Sequence, residues 1–221
     1  MINQKILISF PCDPGHPFYH KTISMAQWKL AQDKRYSILP MWPCHRPYEN
    51  NQNKIIIDFL ASDCTFWLSM DADNPPLNNP LDLVGLNRDI IGLPTPVWHY
   101  VGDKKRERPI YWNAYDYIPE EDAYKEHQIK KGLQPVDAMG TGCFLISKRV
   151  FLNKNMQRGA FLREYYPNGT VKKGNDIKFC ERARANGFEI FCHYDYPCDH
   201  YINIGLNEVV KGFKTLYGDT E

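Results

Sequence analysis

Phe66-Trp67-Leu68-Ser69-Met70-Asp71-Ala72-Asp73 runs from a compact apolar stretch straight into two carboxylates two residues apart. Its first five residues, with one small hydroxyl among them, read as a strand buried on both faces, the habit of a parallel sheet. Two aspartates just past such a strand repel each other and lose water, so they are costly to place together unless a cation lies beside them. Oxygen donors of this kind suit Mg²⁺ or Mn²⁺, ions that also hold substrate phosphates. A solvated Asp-rich turn is the other reading of the same residues.

Upstream, Lys5-Ile6-Leu7-Ile8-Ser9-Phe10 is a second short apolar run, ended by Pro11. It reads as the first strand, and residues 11–15 read as a loop by composition. Residues 19–32 carry Ile23, Met25, Ala26, Trp28 and Leu30 at helical spacing. Residues 36–39 read as a strand. Residues 51–61, with Ile55, Ile56, Phe59 and Leu60 on one side, read as a helix. Strand, helix, strand, helix, strand predicts parallel pairing with right-handed crossovers. The expected fold class is therefore α/β, a Rossmann-like three-layer sandwich around a mostly parallel central sheet. Ligands of such sheets sit beyond the carboxyl ends of the strands. The Pro11 loop and Asp71–Asp73 both fall there.

Downstream, a short helix is expected near residues 81–86 and a strand near 90–93. Residues 94–134 are charged and aromatic without periodicity, which predicts a long irregular functional loop. They include the basic cluster Lys104-Lys105-Arg106-Glu107-Arg108. Met139-Gly140-Thr141-Gly142-Cys143-Phe144-Leu145-Ile146 reads as a small-residue turn entering a strand. Residues 176–186 read as a helix stopped by Gly187 as its C′ residue. Residues 188–193 read as a last strand, and the tail beyond Tyr201 as an amphipathic helix.

A chain of 221 residues with formal net charge +1 has room for one substantial core and carries no overall field that points to nucleic acid or membrane. No run reaches the roughly 18 apolar residues of a membrane span, and the start reads as a first strand rather than a signal peptide. The cysteine count is seven, an odd number, with no C-x-x-C pair, which points to a reduced, cytoplasmic chain rather than a disulfide scaffold. Aromatic residues in apparent loops (Trp42, Tyr48, Trp98, Tyr100, Tyr111, Trp112) can pack or can stack on sugars and bases. Neither a P-loop nor a dinucleotide fingerprint is present, and there is no G-x-S-x-G.

Three further positions carry possible chemistry. Asp176 opens a helix, where an acid serves as a dipole partner or cap, or as a general base toward a hydroxyl. His200 is either structural or a neutral imidazole that completes a metal shell. Gly140 and Gly142 allow a close approach or a positive φ, or form a simple turn.

Taken in order, four segments resemble the GT-A glycosyltransferases, especially small family-2-like members of bacteria and phages. They are Ile6-Leu7-Ile8-Ser9-Phe10-Pro11; residues 53–60 with Ser62 through Asp73; Met139 through Phe151; and Gly174 through Ala183 with Gly187-Phe188 and the distal His200. The resemblance implies that Pro11 and Asn53 border or hold the nucleotide. It implies that Asp71 approaches ribose and metal, that Asp73 and His200 bind Mn²⁺ or Mg²⁺, and that Gly140 and Gly142 border donor sugar and acceptor. Asp176 would be the catalytic base of an inverting displacement. Residues 1–93 would form the nucleotide half, 94–200 the acceptor and catalytic half, and 201–221 a tail. Two departures stand out: Asn175 replaces the family's Glu, and Pro11-Cys12-Asp13 replaces its Thr-Tyr-Asn.

The function so implied is transfer of a sugar from a nucleotide-diphosphate donor, UDP-linked, to a hydroxyl acceptor. That acceptor is a saccharide, a lipid-linked molecule, a protein or modified DNA. A nucleotidyltransferase is a second enzyme reading, although the first loop is not basic or Gly-rich. A non-catalytic carbohydrate- or nucleic-acid-binding module is a third, and Asn175 is its support.

Overall fold

The computed structural model describes residues 4–11, 30, 33–47, 49–98 and 109–217. The loop residues 12–15, the helix expected over 19–32 apart from Leu30, Tyr48, Tyr100 and the cluster Lys104–Arg108 lie outside the described residues. Along the chain the strands are β1 (Lys5–Ser9), β2 (Ser37–Met41), β3 (Phe66–Met70), β4 (Ile90–Gly92), β5 (Pro96–Trp98), β6 (Ile110–Trp112), β7 (Ala114–Ile118), β8 (Ala123–Glu126), β9 (Leu133–Val136), β10 (Ala138–Met139), β11 (Cys143–Ser147), β12 (Glu164–Tyr165), β13 (Val171–Lys173) and β14 (Ile190–His193). The helices are α1 (Glu49–Ala61), α2 (Lys148–Leu152), α3 (Asn175–Ala185) and α4 (Leu206–Tyr217), with a 3₁₀ turn over Pro80–Leu86. None of these is long and apolar enough to cross a membrane.

The central sheet has seven strands in the order β2-β1-β3-β11-β4-β14-β9. β1 pairs parallel with β2 and β3, and β14 parallel with β4. β11 lies antiparallel between β3 and β4, so those two point the same way. β9 closes the edge antiparallel to β14. Five of the seven strands therefore share one direction, and the sheet is mostly parallel as expected. β3 is buried at every residue, which is why it reads as an unbroken apolar run.

Side chains alternate between the two faces. Leu7, Trp67, Phe144, Ile146, Ile90 and Ile190 meet Ile55, Ile56 and Phe59 of α1 and Phe179 and Ala183 of α3. Ile6, Ile8, Phe66, Leu68, Leu145 and Ile91 point the other way, toward Leu30 and the Leu81, Leu83 and Val84 side chains of the 3₁₀ turn. The α1 face holds an aromatic cluster in which Phe161 stacks on Phe179 with centroids 4.3 Å apart. Trp67 is fully buried there, and its indole N–H donates to Ser9 Oγ at 2.7 Å, so its one polar atom is satisfied.

Residues 94–134 differ from the expected irregular loop. Their described part contains β5 to β8 and the start of β9. β5 and β6 form a hairpin, and β7 sits between β10 and β8 in a small outer sheet. Most of these residues are half-buried, with tyrosines and charged groups sharing the faces, so no apolar run marks them. α3 begins at Asn175 and ends with Gly187 at φ 81°, the left-handed geometry expected of a C′ glycine.

Two residues expected beside the nucleotide have defined places in the fold. Asn53 lies in the second turn of α1. Its Nδ2–H donates to the Phe161 carbonyl at 2.8 Å, and its Oδ1 accepts the Phe161 N–H at 3.2 Å. Both ends of the amide are used to tie α1 to the aromatic cluster. Pro11 is buried at the end of β1, where the Phe10 N–H donates to the Met41 carbonyl at 2.9 Å. Asn53→Ala strands both polar groups of Phe161, a loss of about 1–3 kcal/mol. A urea-denaturation midpoint lower by the corresponding amount is expected, and an unchanged midpoint would leave the amide free for a ligand.

Candidate active site

Beyond the carboxyl end of β3 lies a cleft of about 370 Å³, within the usual range for small-molecule sites. Asp71, Asp73, Gly140, Gly142, Asp176 and His200 all line it, joined by Asn74, Asn113, Tyr115 and Asn175. Asn53 and Pro11 do not line it. Trp42, Trp98, Tyr111 and Trp112 also stand outside its lining.

Backbone pairing assembles three distant stretches of the chain here. The Asp71 N–H donates to the Gly142 carbonyl at 2.7 Å, which fixes the aspartate against the glycine turn. The stretch after Asp73 pairs with the stretch around His200. Tyr201 N–H bonds the Asp73 carbonyl at 2.9 Å, Asp199 N–H the Pro75 carbonyl at 2.9 Å, and Leu77 N–H the Pro197 carbonyl at 2.9 Å. An antiparallel bridge joins Pro76 and Cys198. This pairing sets His200 Nε2 3.8 Å from Asp73 Oδ2.

The other imidazole nitrogen, Nδ1, lies 2.7 Å from the Pro96 carbonyl. A carbonyl only accepts, so Nδ1 carries the proton, and in the neutral ring Nε2 offers its lone pair toward Asp73. A backbone carbonyl behind a histidine is the usual orienting partner of a metal-binding imidazole. Asp73 is oriented in turn by Asn74, whose Nδ2–H donates to Asp73 Oδ1 at 2.8 Å.

The glycines are explained by close approach, not by positive φ. A Cβ on Gly142 would stand 1.9 Å from Asn74 Oδ1, and one on Gly140 2.6 Å from Asn113 Nδ2. Neither glycine is among those with positive φ. Positions 140 and 142 therefore lack side chains to admit two buried asparagines. Asn113 ties the β5–β6 hairpin to this turn. Its Oδ1 accepts the Thr95 N–H at 2.8 Å, and its carbonyl accepts the Gly140 N–H at 2.7 Å.

Asp176 sits in the first turn of α3, one residue inside the helix rather than at its cap. Its Oδ1 accepts the Ile177 N–H at 2.8 Å. Loss of water pushes its carboxyl above the ordinary 3.8, against the pull of that N–H and of Arg163. A Cβ on Gly174 would stand 2.5 Å from Asp176 Oδ1, so this glycine gives the carboxylate its room. Asn175 Nδ2–H donates to Gln52 Oε1 at 2.7 Å, and Gln52 Nε2–H donates to Thr141 Oγ1 at 3.1 Å. This buried chain locks the start of α3 to the glycine turn and gives Asn175 a positioning task.

Asn74, Asn113, Tyr115 and Gln52 escaped the sequence reading. Asn74 had a signal, since it directly follows Asp71-Ala72-Asp73. The others lie in segments without periodicity or on a helix face where a glutamine carries no special mark.

No family model matches the chain, and no curated protein sequence matches it. Among solved structures, A197 from STIV is similar over 90% of this chain and 86% of its own, with a TM-score of 0.59 and 13% identity. GalNAc-T7, solved with UDP, GalNAc and Mn²⁺, is similar over 96% of this chain, with a TM-score of 0.58 and 12% identity. The chain spans 47% of that protein's length. At these identities the likeness concerns the fold, and the fold is GT-A-like, as found in glycosyltransferases.

The raised carboxyl of Asp176 has a consequence for stability. An acid whose folded value lies above its unfolded value holds its proton more tightly when folded. Its stabilising share is full below 3.8 and is lost as pH rises through the raised value. Asp176→Asn removes that ionisation while keeping an acceptor for the Ile177 N–H. The variant should melt at a higher temperature than the native chain at neutral pH, with the gain fading as the pH falls toward 3.8. A lower melting temperature at neutral pH would make Asp176 a structural acid.

Proposed function

We propose that the chain is a metal-dependent glycosyltransferase that moves a sugar from a nucleotide-diphosphate donor, a UDP-sugar, to a hydroxyl acceptor. The observation that carries this reading is the meeting of Asp71, Asp73, His200 and Asp176 in one cleft past the carboxyl end of β3. The GT-A-like fold supports it, and GalNAc-T7 is a neighbour solved with UDP and Mn²⁺.

Among the described residues, no group of three or more His, Cys, Asp or Glu is disposed to hold a metal by itself. Asp73 Oδ2 and His200 Nε2 are two suitable donors 3.8 Å apart, with Asp71 lining the same cleft. Such a pair fits Mn²⁺ or Mg²⁺ whose shell is completed by substrate phosphates and water. When bound, the ion supplies Lewis-acid stabilisation to a diphosphate leaving group.

The rest of the mechanism belongs to side chains of this chain. Asn74 and Pro96 hold Asp73 and His200 in their orientations. Asp176 takes the proton of the attacking hydroxyl. Its raised carboxyl makes it a stronger base than a fully hydrated aspartate, closer to the range useful near neutral pH. Residue 175 is a neutral asparagine tied to Gln52, so Asp176 acts without a neighbouring acid there. Attack by one hydroxyl with one base gives inversion at the anomeric carbon.

Donor turnover is measured with UDP-sugars and Mn²⁺. Asp73→Ala should lower it on the order of a hundredfold or more, given the several kcal/mol a metal supplies. Native-like turnover in that variant would remove the metal from the mechanism. Asp176→Asn should lower the chemical step roughly 10²–10⁴-fold while calorimetric UDP affinity stays near native. A matching fall in UDP affinity would instead show that Asp176 shapes the binding site.

A further inference from the structure

A second hollow, of about 310 Å³, opens on the other side of Asp176. Tyr115 and Asp176 line both hollows, so they form the partition between them. Tyr124, Tyr166, Lys172 and Lys173 supply much of the remaining wall. The β12–β13 hairpin brings Tyr166 and the two lysines there. Its turn is made by Gly169 at φ 83° and by Asn168, whose Oδ1 accepts the Thr170 N–H at 3.0 Å.

The lysines of this wall belong to a closed ring of ion pairs that continues behind it. Lys172 bridges Asp122 at 3.1 Å and Glu164 at 3.0 Å. Lys178 bridges Glu164 at 2.9 Å and Glu181 at 2.7 Å. Lys173 bridges Glu181 at 2.7 Å and Asp122 at 2.8 Å. Each lysine touches two carboxylates and each carboxylate two lysines, in one ring whose formal charges sum to zero. Tyr117 donates to Asp122 at 3.0 Å and Tyr124 to Glu181 at 3.0 Å. Hydrogen bonds from Lys178 and Lys172 hold Glu164 at about 2, so that carboxylate stays ionised at neutral pH.

This chemistry discriminates among acceptors. A phosphate-bearing acceptor meets lysines that are already doubly compensated, in a wall that also carries the carboxyl groups of Asp122 and Asp176. A lipid tail meets ions. A neutral polyol suits the wall, because its hydroxyls both donate and accept. The ring retains unused ammonium protons and carboxylate lone pairs for such hydroxyls. Tyrosine offers a flat apolar face with a polar tip, which suits the C–H face of a sugar ring, and Tyr166 is 49% exposed.

We propose that the second hollow holds a neutral saccharide as acceptor and presents one of its hydroxyls to Asp176 from the side opposite the donor. This rests on the glycosyl-transfer reading of the first cleft. In the step, the hydroxyl oxygen bonds to the anomeric carbon and its proton passes to the Asp176 carboxylate. The bond from that carbon to the diphosphate breaks, and the nucleoside diphosphate leaves with the electron pair.

The test uses the full chain with Mn²⁺ and UDP-glucose, UDP-galactose, UDP-GlcNAc or UDP-GalNAc. UDP release is followed alone, then with maltose, cellobiose, lactose or chitobiose, with a single-stranded oligonucleotide, and with a polyprenyl phosphate in detergent. Stimulation by a neutral disaccharide, with the product confirmed by mass, is the expected result. Stimulation by the oligonucleotide or polyprenyl phosphate alone overturns the acceptor assignment and leaves the first cleft's reading intact. Absence of both UDP-sugar hydrolysis and UDP-sugar binding overturns the glycosyl-transfer reading itself, and the acceptor assignment with it. Hydrolysis that no acceptor stimulates overturns the acceptor assignment alone. Tyr166→Ala should raise the saccharide KM about tenfold with a smaller effect on kcat, and Tyr166→Phe, which keeps the ring face, should restore it. An unchanged KM in the alanine variant counts against the hollow as the binding place.

Discussion

The antiparallel insertion of β11 between β3 and β4 is the constraint on which the site depends. A wholly parallel arrangement would send the next strand's amino end to the far edge of the sheet. Because β11 runs backwards, its first residue, Cys143, pairs with Met70, the last residue of β3. The glycine turn that precedes β11 must then lie against Asp71 and Asp73, and the Gly142 carbonyl takes the Asp71 N–H. One reversal of strand direction thus places an acidic pair and the glycine turn at the same point.

Packing finishes what topology begins. The small turn residues admit Asn74 and Asn113, and these asparagines hold what topology leaves adjustable: the Asp73 carboxylate and the β5–β6 hairpin. The Pro96 carbonyl that orients His200 belongs to the same hairpin. Displacing Asn113 would therefore disturb the imidazole through the backbone as well as the turn. Gln52, from α1, reaches Thr141 and Asn175 and completes a frame of neutral amides and hydroxyls around the acids. Neutral partners of this kind fix geometry without compensating the acids' charge, which keeps that charge available to a bound cation.

The parts of the fold legible in the sequence are those buried on both faces. β1, β3 and β14 are apolar runs, and α1 has a clear apolar side, because each packs against the central core. β5 to β8 were not legible, since strands in small outer sheets bury only part of each face and tolerate charge. Asp71, Asp73, Asp176 and His200 were legible as residues whose type and position at element ends suit chemistry. The Asn53 contact with Phe161 was not legible, because an amide on a helix has the same appearance whether it binds a ligand or a backbone segment more than a hundred residues away. The ion-pair ring was equally hidden: its members lie in three elements and a turn, and only the folded hairpin brings Lys172 and Lys173 to Asp122 and Glu181.

The two hollows beside Asp176 are electrically opposite in design. On one side, Asp71 and Asp73 line one cleft, with Asn74 and His200 beside Asp73, and two acids so placed favour an added positive charge. On the other, every lysine and carboxylate of the ring is matched within the protein. A donor diphosphate with its cation fits the first, and a neutral ring of hydroxyls fits the second. Asp176 stands between them with a carboxyl raised by loss of water. Among the described residues, the lysines that share its hollow, Lys172 and Lys173, are occupied by Asp122, Glu164 and Glu181, and Arg163 is the cation that pulls its carboxyl down. The neutrality of the ring therefore bears on the base as well as on the acceptor. An unpaired lysine in its place would lower the Asp176 carboxyl and weaken it as a proton acceptor.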